Sequence, residues 1–208
     1  MLAGLVRSAL NVRWIPAIPG APELKMLYKN LRTLLANELV NDESEETLTL
    51  MSELLAARKR GYLTRSEFLA ICRWKSPRAI RLCERNSRSQ IRRLSTLAFT
   101  NRSERVRLEA LTSLHGVSVP MASAVLTLTN PQRYGVIDIR VWQLLFDLKS
   151  VRQKPQGVGF NFKNWYHYLI KLRYHARELN VSARCVEHTL FRYHRKIQQG
   201  VLYRRKTT

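Results

Sequence analysis

The chain has 208 residues, 45% of them apolar, which is enough for one folded domain or two lobes around a substantial core and excludes a disordered basic tail. Lys and Arg number 36 against 15 Asp and Glu, giving a formal charge of +21 and a pI near 10.8. Such an excess makes a polyanion the natural ligand through counterion release, DNA or RNA alike, and excludes a membrane span because no stretch reaches roughly 18 apolar residues.

Met1 to Leu10 is mildly apolar, but its shortness and Arg7 do not fit a secretory leader. Pro16, Pro19 and Pro22 make residues 1–22 an extended arm, ahead of a helical domain over 23–200 and a basic tail over 201–208. Cys72, Cys83 and Cys185 are scattered and read as buried thiols of a protein kept in a reducing cytoplasm, associated with the nucleoid if its source is bacterial.

The punctuation along the chain is helical. Asp42 to Glu46 supplies an acidic helix start, and Arg58-Lys59-Arg60-Gly61 a basic end with a glycine stop, both complementing the helix dipole. Thr64 to Glu67 has capping-box spacing, Ser76-Pro77 reads as another cap, and Ser87 precedes a helix to about Thr100. Between them, Arg73-Trp74-Lys75-Ser76-Pro77-Arg78 interleaves cations with an aromatic ring. Trp74, Lys75 and Arg78 there suit a stacking platform for a flipped base, and equally a core tryptophan with solvated charges around it.

Arg105 to Leu114 is an amphipathic helix broken by Gly116, and a second helix runs from about Val119 to Thr129 with Pro120 in its first turn. The connecting turn Gly116-Val117-Ser118 would present backbone N–H groups at a helix N-terminus, where partial positive charge favours a phosphate. An ordinary helix-turn-helix packing unit has the same pattern. Asn130-Pro131 ends the second helix. Asp138 then precedes a new apolar-periodic segment through Val141, Leu144, Leu145 and Leu148, which makes it a helix N-cap.

Val151 to Asn161, with Pro155, Gly157 and Gly159, is a loop; helices follow over about Lys163 to Leu179 and Ser182 to Gln199, closed by Gly200. Tyr166, Tyr168 and Tyr174 fit core packing better than a base-stacking surface. His167, His175, His188 and His194 lie on two helices without a carboxylate or cysteine cluster at ligand spacing, so no metal site is expected. Tyr203 to Lys206 would add phosphate contacts without reading sequence.

The stretch from Leu114 to Leu145 resembles the helix-hairpin-helix (HhH-GPD) DNA glycosylases. Leu114, Gly116, Val117 and Ala122 match the family's hairpin, and Ile137, Asp138, Arg140 and Val141 match its aspartate segment, in the same order and at a fitting interval. The resemblance implies an all-α, two-lobed fold acting on duplex DNA with a flipped base. It implies Asp138 as the catalytic carboxylate and Gly116, Val117, Ser118 and Arg140 as DNA contacts, with the Leu114 and Val117 carbonyls able to hold a monovalent cation. Pro120 stands where the strand-cleaving members carry lysine, so the implied enzyme is monofunctional, without lyase activity. Three scattered cysteines do not provide the iron–sulfur cluster of some relatives. The expectation is thus a DNA N-glycosylase that removes a damaged or modified base with water; a non-catalytic helix-hairpin-helix DNA-binding protein and an RNA-binding protein are the alternatives.

Overall fold

The computed structural model, which describes residues 27–198 and 202, is built from ten helices, eight of which begin where a short oxygen-bearing side chain accepts from a first-turn amide. They are α1 (Leu31–Glu38), α2 (Glu45–Arg60), α3 (Arg65–Lys75), α4 (Ile80–Cys83), α5 (Arg88–Thr100), α6 (Glu104–Thr112), α7 (Val119–Thr129), α8 (Ile139–Asp147), α9 (Phe162–Glu178) and α10 (Ala183–Ile197). The described residues contain no strand, and the fold is all-α. None of these helices is long and apolar enough to cross a membrane. The expected arm over 1–22, the Gly200 stop and the basic tail from Tyr203 to Lys206 lie outside the described residues.

Most expected boundaries hold to within two residues. Thr64 and Ser87 form full capping boxes with Glu67 and Gln90, and Gly61 closes α2 in the left-handed conformation, its N–H donating to the Ala57 carbonyl. Within the expected acidic start, Ser44 caps α2, with Glu45 and Glu46 in its first turn. The Ser76-Pro77 cap is corrected: Ser76 makes no side-chain cap bond, and Pro77–Ala79 is a 3-10 turn leading into the short α4. Helix α1 has no counterpart in the sequence reading. It is short, capped by Asn30, and it is held by burying Leu31, Leu34 and Leu35.

Helix α7 packs against α2, α3 and α6, whereas α10 packs against α1, α8 and α9. Helix α6 meets α9, where Glu104 of α6 accepts from Arg173 at 2.7 Å and from the Tyr134 hydroxyl at 3.0 Å. One continuous apolar core runs beneath both sets. The α9 aromatics divide between core and surface: Trp165 and Tyr168 are fully buried, while Tyr166 and Tyr174 are exposed, contrary to the expectation that all pack inside. Residues 151–161 form a loop as expected, with left-handed Lys154, Gly157 and Gly159, and the loop starts earlier than expected, α8 ending at Asp147 and Lys149 being left-handed too.

Candidate functional site

The hairpin between α6 and α7 turns on Gly116, whose φ is +77°. A Cβ there would lie 2.9 Å from the Cys83 backbone nitrogen and from Leu82 Cβ, so glycine serves both the left-handed backbone and the close approach of α4. Buried Asn86 pins the turn: its amide donates to the Cys83 and His115 carbonyls at 2.8 and 2.9 Å, and its oxygen accepts the His115 N–H at 2.8 Å. The outward row of amides expected over 116–118 is only partly present. Val117 is buried and its N–H donates to the Leu114 carbonyl at 3.2 Å, leaving Ser118 as the exposed residue of the three. Ser118 begins α7 without a side-chain cap bond, and Pro120 occupies the first turn.

Asp138 is the N-cap of α8, as its place in the sequence predicts. Its Oδ1 accepts the Val141 N–H at 3.1 Å, while Oδ2 lies 3.5 Å from Lys75 Nζ at the end of α3. Both side chains are mostly covered, at 16% and 17% exposure. The segment leading to Asp138 is held on three sides: the Val136 N–H donates to Glu187 at 3.2 Å, the Ile137 N–H to the Ser123 hydroxyl at 3.1 Å, and Tyr168 donates to the Val136 carbonyl at 2.9 Å. Gly135 is required by packing, because a Cβ would meet Glu187 Cβ at 2.7 Å and the Ala183 carbonyl at 3.2 Å.

Beneath this segment lies a buried ionic cluster. Arg184 bonds Glu187 and also Glu43, the latter at 2.7 Å. Burial pushes the Glu187 carboxyl up and the negative charge of Asp138 adds to this, with Arg184 opposing. Burial and the neighbouring Arg140 guanidinium push His194 down to about 4, Asp138 opposing, so His194 is neutral near pH 7. Burial likewise pushes up the Cys72, Cys83 and Cys185 thiols, making all three poor nucleophiles.

The structure therefore brings Lys75 to Asp138 but treats the other expected contacts differently. Trp74 is half-buried, donating its indole N–H to Thr47 at 3.0 Å with the Arg184 guanidinium 5.7 Å from its ring, which places it beside the ionic cluster. Arg140 donates to Gln198 and lies 5.9 Å from the Phe191 ring, directed along α10. Arg78 is exposed on the 3-10 turn. Among the described residues no three His, Cys, Asp or Glu side chains are grouped to hold a metal.

Sequence reasoning missed Asn86, Ser123, Arg184 and Glu187. Glu187 carried a usable signal: it is the sole acid of α10 and, with His194, falls on the stripe formed by Ala183, Val186, Leu190 and Tyr193. A lone carboxylate at core spacing in a basic helix asks for a buried partner. Asn86 and Ser123 carried none, being common residues whose partners are remote in the chain. No family model, curated protein or solved structure matches this chain.

Proposed function

We propose that this protein is a monofunctional DNA N-glycosylase, hydrolysing the bond between sugar and base of a damaged or modified nucleotide flipped out of the duplex. The observation that carries this reading is the geometry of Asp138, a mostly covered carboxylate held by Val141 on one oxygen and facing Lys75 with the other. As the N-glycosidic bond breaks, its electron pair leaves with the base and positive charge develops on the sugar. A fixed carboxylate stabilises that charge without reorganising, and it accepts the proton of the water that adds to the anomeric carbon.

The partition of contacts, α7 with α2, α3 and α6 against α10 with α1, α8 and α9, supports a two-lobed reading with Asp138 and Lys75 facing each other from the two sets. Ser118 and the start of α7 would meet a phosphate beside the flipped nucleotide, with Gly116 allowing the turn and Arg78 and Arg140 adding positive charge. The donor set for a monovalent cation fits: carbonyls are hard oxygen donors, and that of Leu114 keeps a lone pair after accepting from Val117. Leu114 and Val117 would hold such an ion, which would add positive charge next to the phosphate. The formal charge of +21 supports a DNA partner.

The Asp138 cap bond to Val141 also favours a second reading, in which the carboxylate only starts α8 and the protein binds DNA without chemistry. Duplexes bearing oxidised, alkylated, deaminated or bulky modified bases, incubated with the protein and with Asp138→Asn, separate the two. Free base and abasic sites produced by the wild type and absent with the variant are expected. Absence of release from every duplex, or equal release by both proteins, overturns the glycosylase reading.

A further inference from the structure

An open cleft of about 580 Å³ lies between α3 and the start of α5, and neither Asp138 nor Lys75 lines it. Leu63 and Leu69 form its buried floor, and Arg65, Arg73, Arg88 and Arg92 line it. None of these four arginines pairs with a carboxylate among the described residues, whereas Arg60, Arg173, Arg184 and Arg192 each do. Arg65 donates to the Glu84 carbonyl at 2.9 Å, and Arg92 stands 4.5 Å from the Tyr62 ring, whose other cationic neighbour is Arg60 at 4.7 Å. The Thr64 and Ser87 capping boxes already engage the amides of Thr64, Glu67, Ser87 and Gln90. What the cleft offers is guanidinium groups, whose planar forks match phosphate oxygens, above an apolar floor with stacked Tyr62.

We propose that this cleft is a second phosphate-binding site, occupied by the sugar–phosphate backbone of a nucleic-acid strand. A strand suits it better than a small phosphate ion. Arg73, Arg88 and Arg92 are exposed on two different helices, and the site is an open cleft rather than a closed nest of buried donors. It is joined to the hairpin by one segment: Leu82 and Cys83 pack on Gly116, Asn86 bonds His115, Glu84 bonds Arg65, and Arg88 lines the cleft. A strand passing the hairpin therefore continues into the cleft. This inference rests on a nucleic-acid partner but not on any chemistry at Asp138.

The test compares Arg73→Gln/Arg88→Gln with a charge-matched control, Arg152→Gln/Arg177→Gln, two exposed arginines outside the cleft. Far-ultraviolet circular dichroism and melting confirm that both fold, and binding to a labelled duplex with a single-stranded extension is measured from low to high salt. The cleft variant is expected to lower the slope of log affinity against log salt by about 1.4 to 1.8, two phosphate contacts, and the control by much less. Equal losses in the two variants overturn the proposal. So does displacement of the duplex from the wild type, but not from the cleft variant, by millimolar inorganic phosphate or a mononucleotide, since that identifies a small-ion site. Base release is not read in this experiment, and an inactive Asp138 leaves its outcome unchanged.

Discussion

The hairpin turn and the Asp138 segment adjoin the same helix, α7, yet they are held by different physics. Gly116 and Asn86 secure the turn through backbone conformation, close packing and neutral hydrogen bonds. The Asp138 segment adds charge to its neutral bonds with Ser123 and Tyr168: Lys75 opposite its carboxylate, and buried Glu187 with Arg184 beneath its backbone. Neutral contacts make a turn whose shape is insensitive to pH and salt, whereas clustered charges keep a carboxylate directed at the cost of coupling the segment to protonation. On the proposed function, the turn would contact phosphate and needs only shape, whereas Asp138 would meet developing positive charge and needs an electrostatic setting.

The largest expected effect comes from removing the Asp138 charge without removing the cap. Asp138→Asn keeps an N-cap of equal quality, so the melting temperature should change little while base release falls by about 10²- to 10⁴-fold. A matching loss of stability would return Asp138 to the purely structural side of the comparison. A related experiment concerns Lys75, the amine near Asp138. Borohydride added to the protein on abasic DNA should capture nothing; capture that disappears in Lys75→Gln would make Lys75 an imine-forming nucleophile and the enzyme a lyase.

Next in size, Glu187→Ala removes a buried partner of Arg184 and the acceptor of the Val136 N–H, and should cost about 3 kcal/mol in urea unfolding, Glu43 remaining to hold Arg184. His194 gives the pH signature of the charged region. Its pKa is lowered from 6.5 to about 4 on folding, so its contribution to stability is present above pH 6.5 and is lost as pH falls toward 4, by about 2 to 3 kcal/mol. His194→Gln should flatten that part of the stability profile, and an unchanged profile would mean that another group controls it. Glu187, raised on folding, acts in the opposite sense, stabilising below its ordinary range and losing that contribution as pH rises.

The smallest expected effects belong to the hairpin. Gly116→Ala combines a left-handed backbone with contacts of 2.9 Å to Cys83 and Leu82 and should cost about 2 kcal/mol or more, with no dependence on salt. Gly61→Ala provides the calibration, since its φ is +82° with nothing within 4 Å of the new Cβ, and should cost about 1 kcal/mol from conformation alone. Equal costs would show that α4 moves away from the turn and that close packing does not define the hairpin.

What the amino-acid order determined by itself was local. The Thr64 and Ser87 capping boxes, the Gly61 stop, the Gly116 break and the Asp138 cap each depend on atoms within a few residues, and all were legible. So was the helical class, because 3.6-residue periodicity is a property of the chain before it folds. Tertiary structure decided the rest. It set Lys75 of α3 against the cap of α8, enclosed Trp74 beside Arg184, and placed Asn86 across from His115. Arginines from two helices lining one cleft were equally a product of packing. These pairings cost chain entropy that only the shared apolar core offsets, so no short window of sequence encodes them.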